Sequence, residues 1–385
     1  MSASYDVILI GLGGMGSAAA YQLAKRGKRV LGLERHGPAH HQGSSHGKSR
    51  IIRQAYFEDP AYVPLLLRAY ELWQQIEQES GQHVLTITGG LMLGPPSSRT
   101  VAGARRSAEE HGLAHELLDA GEIARRFPML RPSADTIALY ERMAGFLHPE
   151  ASVAAHLHQA ERYGAELHFH EPAVSWSAAP SGDRVEVITA NGRYEAETLI
   201  ISPGAWAPAL LGELGIPWKV ERNLLFWFDP LGGREPFLPD RFPIYIWETD
   251  GGAQFYGFPA QDGPPGGVKA ALFRAGVYCT PETIDRTIHP HEVEPLRACL
   301  AAHIPNLNGP LIDAASCMYT TTPDEHFVID RHPQHPNVVV SSPCSGHGYK
   351  FASVVGEILA DLAIDGRTRY PISLFSVDRF ATLSA

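Results

Sequence analysis

A glycine-rich turn between a strand and a helix is the feature that most constrains how this chain can fold. An apolar run near the N-terminus leads into Gly11-Leu12-Gly13-Gly14-Met15-Gly16, and a helical pattern follows it. In such a turn Gly11 permits the sharp bend, Gly13 lets the backbone approach a pyrophosphate, and Gly16 lets the helix pack on the strand. The helix N-terminus then faces the phosphates, whose negative charge it favours. The pattern predicts a dinucleotide site at the start of the chain.

Glu34 narrows the choice of dinucleotide. It ends the second apolar run and lies 18 residues past Gly16. A carboxylate at that place can accept hydrogen bonds from an adenosine ribose, and it would repel a 2′-phosphate. The motif therefore argues against NADP. By itself it does not distinguish FAD from NAD, and it leaves open a glycine-rich turn that binds no ligand.

Composition argues against several classes of protein. The chain has 385 residues, enough for two domains, and its net charge of −10 argues against nucleic acid or an anionic membrane as a partner. It has no apolar run long enough for a membrane helix, and its N-terminus lacks the basic region of a signal peptide. The 4 cysteines have no CxxC spacing and the 19 histidines are scattered. We therefore expect a cytoplasmic protein without a metal site or a disulfide scaffold.

The order of the patterns along the chain predicts an α/β fold with two domains. Alternating strands and helices at both ends indicate a Rossmann-type nucleotide-binding domain. Short aromatic strands between Pro/Gly loops indicate an inserted α+β substrate domain with an antiparallel sheet. The expected ranges are 1–85, 146–216 and 322–385 for the first domain, and 86–145 and 217–321 for the second.

A series of short segments links this chain to a known family. In order along nearly the whole length they are Gly11-Leu12-Gly13-Gly14-Met15-Gly16, Gly43-Ser44-Ser45-His46-Gly47, Ser49-Arg50-Ile51-Ile52-Arg53, Tyr62-Val63-Pro64-Leu65, Ser202-Pro203-Gly204-Ala205-Trp206, Phe255-Tyr256-Gly257-Phe258-Pro259, Cys317-Met318-Tyr319, Asp324-Glu325-His326-Phe327 and Ser345-Gly346-His347-Gly348-Tyr349-Lys350-Phe351. By these segments the chain resembles the monomeric sarcosine oxidase and N-methyltryptophan oxidase family, FAD-dependent amine oxidoreductases of the D-amino-acid-oxidase-like superfamily. The resemblance favours FAD over NAD and implies a monomer.

The resemblance implies which residues hold FAD. Cys317 matches the family's cysteine whose sulfur is linked to the flavin 8α-methyl group, and a thiolate is a suitable nucleophile for that electron-poor carbon. A buried core thiol is the competing interpretation. The implied cofactor-binding residues are Gly11, Gly13, Gly14, Met15, Gly16, Glu34, Arg35, Ser44, His46, Ser49, Arg50, Gly204, Trp206, Cys317, Met318, Gly346, Gly348 and Lys350.

The resemblance also implies the residues that act on the substrate. Arg53 and Lys350 match the pair that holds the substrate carboxylate, for which a guanidinium fork and a second positive charge are suited. Lys269 matches the lysine that assists the reduction of O2, since a fixed positive charge favours the anionic superoxide. Tyr256 and Tyr319 match aromatic residues around the substrate pocket.

Three expectations concern local structure. The stretch 100–126 looks helical. Ser49 and Arg50 are expected one helical turn or less before Arg53, where they would shape the flavin environment rather than touch substrate. Ile246 and Trp247 fall on a further strand that is expected to line the substrate pocket.

The implied activity is oxidation of a secondary amine on a small carboxylic acid, such as an N-methyl or N-alkyl amino acid. The imine product would hydrolyse to an amine and an aldehyde, with O2 reduced to H2O2. The chain departs from the family at Phe273, where sarcosine oxidases carry a pocket histidine, and at Pro343-Cys344. A cyclic imino acid, a bulky N-methyl amino acid and a glycated amino acid therefore stay open as substrates. The sequence also leaves open a flavin dehydrogenase with another electron acceptor, an NAD-linked dehydrogenase and a non-catalytic nucleotide-binding protein.

Overall fold

The computed structural model describes residues 4–261 and 266–383. Its α-helices are α1 (Gly14–Lys25), α2 (Val63–Ser80), α3 (Arg99–Glu110), α4 (Ala120–Arg126), α5 (Pro149–Arg162), α6 (Ala207–Leu210), α7 (Glu294–His303) and α8 (Ala352–Asp365). Its strands are β1 (Ser4–Ile10), β2 (Val30–Leu33), β3 (Arg50–Ile52), β4 (Leu85–Ile87), β5 (Gly90–Gly94), β6 (Glu116–Leu118), β7 (Ile137–Glu141), β8 (Gly145–Leu147), β9 (Glu166–His168), β10 (Ser175–Ala178), β11 (Val185–Ile188), β12 (Arg193–Ile201), β13 (Lys219–Phe228), β14 (Ile244–Glu248), β15 (Gln254–Ala260), β16 (Val268–Leu272), β17 (Val277–Cys279), β18 (Leu311–Thr321), β19 (Val328–Arg331) and β20 (Val338–Ser342).

The first sheet is built around the N-terminal strand. Its order is β10-β11-β12-β1-β2-β9, with β20 pairing to β12 and β19 to β20. β1 runs parallel to both β12 and β2, as in a Rossmann-type sheet. Alternate side chains of β1 enter different cores: Val7 and Leu9 pack with α1, α2, α5 and α8, whereas Ile8 and Ile10 pack on the opposite face. Both faces of this sheet are therefore buried, and the expected α/β fold is confirmed.

The second sheet has nine strands in the order β17-β13-β16-β15-β14-β5-β7-β6, with β18 also paired to β13. Its pairings are antiparallel except between β14 and β5, which come from separate segments of the chain and run parallel. One face packs an aromatic core against α4 and α7, including Phe226, Phe255 and Leu296. The aromatic residues that mark this region in the sequence therefore form a sheet with a core of its own.

A small third sheet of β3, β8 and β4 carries the segment that precedes Arg53. Because Arg50–Ile52 is a strand, the expectation of a helical turn between Ser49 and Arg53 is wrong. Pairing with β8 supplies the backbone hydrogen bonds that a helix would otherwise have made.

The expected long helix over 100–126 is also wrong. α3 ends at Glu110, Gly112 adopts a left-handed φ of 63°, and the short strand β6 then pairs with β7. The next helix, α4, is capped by Asp119, whose side chain accepts from the Glu122 backbone while the Glu122 side chain accepts from the Asp119 backbone. The glycine and this capping box are the local signals that divide the helical pattern.

Over the described ranges, no helix has both the length and the apolar character that crossing a bilayer requires. The same residues contain no cluster of three or more His, Cys, Asp or Glu side chains arranged to hold a metal ion.

Candidate active site

The glycine turn forms one end of a long cavity, here called the central cavity. An added Cβ on Gly11, whose φ is +89°, would lie 2.3 Å from the carbonyl oxygen of Ser202, and one on Gly16 would lie 1.8 Å from that of Gly11. Only glycine fits at these two positions, because backbone atoms cannot move aside. By contrast, an added Cβ on Gly13 would meet nothing closer than the Ser45 hydroxyl at 3.5 Å. Open space therefore lies over Gly13, where a pyrophosphate would approach.

The carboxylate of Glu34 lies where β2 ends and lines the central cavity. One oxygen accepts from the Leu12 amide at 2.8 Å, and the other accepts from the His36 amide at 3.0 Å and lies 3.3 Å from His40 Nε2. Burial opposes ionisation, but the hydrogen bonds from His40 and Leu12 hold the pKa of Glu34 below its usual value. The group is therefore a charged acceptor at the place expected for a ribose. Sequence reasoning did not find His40.

Arg35 and Trp206 lie together at the same end of the cavity. The Arg35 guanidinium carbon is 5.3 Å from the centre of the Trp206 ring, whose Nε1 donates to Glu282 at 3.0 Å. Gly204 has a φ of +56°, and an added Cβ there would meet no atom within 4 Å. These residues leave a broad slot with an aromatic and a cationic wall.

Four predicted cofactor residues meet near the middle of the cavity. The Ser44 hydroxyl donates to the Met318 carbonyl at 2.7 Å. The Arg50 guanidinium donates to the Ser44 carbonyl at 2.9 Å and lies 3.4 Å from the Cys317 sulfur. Met318 and Arg50 line the cavity, whereas Cys317 is 1% exposed and lies within its wall. The thiol is thus next to a partly buried guanidinium.

Lys269 is buried in the wall beside the same region. Its ammonium donates to the carbonyls of Gly47 at 2.7 Å and Ser49 at 2.9 Å. Burial, aided by repulsion from Arg50, lowers the pKa of Lys269 well below its usual value. Burial and the same cations also lower the pKa of His46 to about 3, so that its ring is neutral at physiological pH.

Arg53 and Lys350 meet at the other end of the cavity. Both side chains are buried and line it. Lys350 Nζ donates to the His347 carbonyl at 2.6 Å, and Arg53 donates to the Ala55 carbonyl at 2.7 Å. Burial and the charge of Arg53 lower the pKa of Lys350 to about 7. Two residues far apart in sequence therefore form one positive site.

Glu58 is the cavity residue that sequence reasoning missed most clearly. Its carboxylate accepts from Arg53 Nη2 at 2.6 Å, in an ion pair with almost no exposure to solvent. Burial opposes ionisation, but Arg53 outweighs it and lowers the pKa of Glu58 to about 2. The signal available in the sequence was only an acid five residues after Arg53.

Aromatic side chains form the walls between the two ends. The hydroxyls of Tyr256 and Tyr319 are 3.3 Å apart, and the ring of Phe273 lies 6.0 Å from that of Tyr319. Burial raises the pKa of both tyrosines, so their hydroxyls stay neutral. Ile246 lines the cavity as expected, but Trp247 does not. Because strand residues alternate, Trp247 faces the aromatic core of the second sheet.

The structure brings together most of the predicted site residues. Those that line the central cavity are Gly11, Gly13, Gly14, Met15, Glu34, Arg35, Ser44, Arg50, Arg53, Gly204, Trp206, Tyr256, Met318, Tyr319, Gly346, Gly348 and Lys350. Those that do not reach its surface are Gly16, His46, Ser49, Lys269 and Cys317. The dinucleotide turn and the Arg53–Lys350 site thus belong to one continuous cavity.

Known proteins resemble this chain over nearly its whole length. The family model for FAD-dependent oxidoreductases matches residues 6–362. A monomeric sarcosine oxidase of Streptomyces avermitilis is 58% identical, with 100% of both chains covered. An N-methyl-L-tryptophan oxidase of Citrobacter koseri is 35% identical, covering 98% of this chain and 99% of the relative. Among solved structures, the open form of NikD, an unusual amino acid oxidase essential for nikkomycin biosynthesis, has a TM-score of 0.84 at 25% identity, with 97% of each chain covered.

Proposed function

We propose a function that starts from the family of this chain, which belongs to the monomeric sarcosine oxidase and N-methyltryptophan oxidase family of FAD-dependent oxidoreductases. The proposed reaction is oxidation of the secondary amine of an N-methyl or N-alkyl amino acid. The observation that carries the proposal is the buried pair Arg53 and Lys350 in a cavity continuous with the dinucleotide turn. The product is an imine, which water hydrolyses to an amine and an aldehyde. Membership of this family excludes an NAD-linked dehydrogenase and a non-catalytic protein.

The residues along the cavity fit FAD. The turn before α1 offers backbone amides and a helix N-terminus to a pyrophosphate, and Gly13 and Gly204 leave space for it. Glu34 is a charged acceptor for ribose hydroxyls. FAD, when bound, supplies the acceptor for the electron pair that leaves the carbon next to the amine.

Arg53 and Lys350 anchor the substrate carboxylate in this proposal. The Arg53 Nε atom is buried without a hydrogen-bond partner among the described residues, so the guanidinium has a donor to spare. To donate to both oxygens of a substrate carboxylate, Arg53 gives up its ion pair with Glu58 and forms one with the ligand. Anchoring at this end places the amine among the aromatic walls, where the low polarity favours its neutral, reactive form.

No carboxylate base is needed for the proposed reaction. Until a ligand replaces it on Arg53, Glu58 has a pKa of about 2, and in the substrate complex the flavin accepts the reducing equivalents without a separate base. The neutral hydroxyls of Tyr256 and Tyr319 can hydrogen bond to the amine and orient it.

Lys269 and Cys317 have proposed roles toward FAD and O2. Lys269 assists the reduction of O2 to H2O2 in its ammonium form, which donates to the carbonyls of Gly47 and Ser49 and whose buried charge favours the anionic superoxide. Cys317 is the attachment site of a covalently bound flavin, and its sulfur lies 3.4 Å from the Arg50 guanidinium beside the cavity. Since Cys317 lies within the cavity wall, its side chain turns toward the cavity when it reacts.

The oligomeric state and the cellular location of the enzyme are also part of the proposal. The protein acts as a monomer, in keeping with the names of its relatives, which are monomeric sarcosine oxidases. It works in the cytoplasm, where its free cysteines stay reduced.

A substrate screen tests the proposed function. The purified yellow protein is mixed in air with sarcosine, larger N-methyl amino acids, proline and a glycated amino acid, and H2O2 and aldehyde are measured. We expect equal amounts of H2O2 and formaldehyde from an N-methyl amino acid. Because Phe273 adds an apolar wall, we expect substrates with an apolar side chain to be accepted. Flavin reduction without peroxide would support a dehydrogenase, and no reduction by any secondary amine would contradict the proposal.

A further inference from the structure

The two cations of the proposed carboxylate anchor share one aromatic ring. The Arg53 guanidinium carbon lies 4.3 Å from the centre of the Tyr56 ring, and Lys350 Nζ lies 5.1 Å from the same centre. Tyr56 is fully buried and does not line the central cavity. A ring attracts a cation toward its face, so Tyr56 constrains both charges at once from behind the cavity wall.

A histidine holds the Tyr56 hydroxyl. Tyr56 Oη lies 2.5 Å from His347 Nδ1, and His347 Nε2 lies 3.0 Å from the Glu325 carbonyl oxygen. Because a carbonyl can only accept, Nε2 carries the proton and Nδ1 accepts from the tyrosine. Burial lowers the pKa of His347 to about 3, so the ring stays neutral and this arrangement persists at physiological pH. The orientation of His347 is thereby fixed at both ring nitrogens.

The backbone of His347 completes the connection. Its carbonyl accepts from Lys350 Nζ at 2.6 Å. Tyr56 therefore acts on Lys350 both through its ring and through the residue whose carbonyl holds the ammonium. Arg53 is held on the same ring and on the Ala55 carbonyl.

We propose that Tyr56 and His347 are positioning residues, which hold Arg53 and Lys350 at the separation that a ligand carboxylate requires. This inference rests on the proposed function for the identity of the ligand, an amino acid carboxylate. It adds that affinity for the carboxylate depends on a hydroxyl that never touches it. The two residues act before chemistry, so their loss affects binding more than turnover.

The arrangement also predicts a pH effect. Lys350 is faced by Arg53, Glu58, Tyr56 and His347. Burial and Arg53 lower its pKa to about 7, and Glu58 opposes them. The His347 carbonyl favours the ammonium form, so weakening that contact lowers the pKa further. Affinity for a carboxylate falls as pH rises through the pKa of Lys350, and without the Tyr56 hydroxyl this fall begins at a lower pH.

The test is the Tyr56→Phe variant of the flavin-containing enzyme, which keeps the ring and removes the hydroxyl. The dissociation constant for acetate is measured from the flavin absorbance change across neutral pH, with KM and kcat for the best substrate. We expect the dissociation constant and KM to rise by about 3- to 10-fold, as for a lost hydrogen bond. The fall in affinity should start at lower pH, and kcat should change by less than about 2-fold. His347→Gln should change the same quantities in the same direction.

Tyr62→Phe is the matched control. Tyr62 is also fully buried, and its hydroxyl lies 3.0 Å from Nδ1 of His326. Within the described residues its ring holds neither cation, so acetate binding should be unchanged. Equal weakening in Tyr62→Phe and Tyr56→Phe, or unchanged affinity and pH dependence in Tyr56→Phe, would overturn the proposal. If acetate binding depends on Tyr56 but no N-alkyl amino acid is oxidised, the positioning role stands and the proposed function fails.

Discussion

At the level of single residues, buried charges define this site. Arg53, Lys269 and Lys350 have almost no solvent exposure, although such side chains normally stay at the surface. The resemblance to a known family identified all three from the sequence. It did not identify Glu58, because no spacing rule says which acid reaches a given arginine in the folded chain. The ion pair between Arg53 and Glu58 depends on how the segment after β3 folds, which the sequence pattern does not show.

Replacing Glu58 with Gln should lower the stability of the ligand-free protein and increase the stabilisation that a carboxylate ligand provides. Without ligand, Arg53 is left as an unpaired buried charge, and we expect the free energy of unfolding to fall by about 3 kcal/mol. A carboxylate ligand restores a partner, so acetate should raise the melting temperature of Glu58→Gln more than that of the unaltered protein. The comparison is made below neutral pH, where Lys350 is protonated in both proteins. An equal effect of acetate on the two proteins would contradict the exchange of Glu58 for substrate.

Replacing Lys269 with Met should slow the reduction of O2 and leave the reduction of the flavin by substrate nearly unchanged. We expect peroxide formation in air to fall by about 100-fold, because one preorganised charge is lost. Reduction of the flavin by substrate without air should change by less than about 3-fold, since Lys269 makes no contact with the Arg53–Lys350 anchor. Lys350→Met is the contrasting variant, in which substrate binding should weaken instead. Normal peroxide formation in Lys269→Met would contradict the proposed role of Lys269 in the reduction of O2.

Replacing Cys317 with Ser should decide whether the flavin is covalently bound. We expect acid precipitation to leave the yellow colour with the unaltered polypeptide and to release it from Cys317→Ser, since the serine hydroxyl is a far weaker nucleophile than a thiolate. Cys344→Ser is the matched control, because burial raises the pKa of that thiol to about 11 and leaves it unreactive. Release of all flavin from the unaltered protein would make Cys317 a core thiol.

At the level of secondary structure, sequence patterns located the nucleotide-binding elements well and the irregular ones poorly. The strand, turn and helix around Gly11 are local in sequence, so their pattern is complete in a short window. β3 and β6 are three-residue strands that exist because distant partners pair with them, and a local window lacks that information. The same limit applies to Trp247, which was expected to line the cavity. Alternation along β14 places Ile246 and Trp247 on opposite faces of the sheet, but it does not show which face borders the cavity and which borders the aromatic core.

A Gly16→Ala variant tests the packing of α1 on β1. The added methyl group would sit 1.8 Å from the Gly11 carbonyl and push the helix away from the turn. We expect about 2 kcal/mol of lost stability and a much lower flavin content on purification. Gly212→Ala is the control, because no atom lies within 4 Å of its added Cβ. Full flavin content in Gly16→Ala would show that the turn does not need to be this tight.

At the level of the whole molecule, the central cavity connects regions that belong to different sheets. We propose the domain division expected from the sequence, with residues 1–85, 146–216 and 322–385 binding FAD and residues 86–145 and 217–321 covering the substrate. It is supported by the strands of the first sheet, which all fall in the former ranges, and by those of the second sheet, which fall in the latter. Two strands of the third sheet, β4 and β8, cross the borders between these ranges, and β3, which pairs with β8, leads to Arg53.

The most direct test of the account compares a substrate with its own amide. The purified protein is mixed without air with its best N-methyl amino acid and, separately, with the corresponding amide, and the loss of oxidised-flavin absorbance is followed. If Arg53 and Lys350 anchor a carboxylate, the amino acid reduces the flavin and the amide does so at least about 100-fold more slowly. Equal rates for acid and amide would contradict the account, because the buried cations would then have no part in holding the substrate.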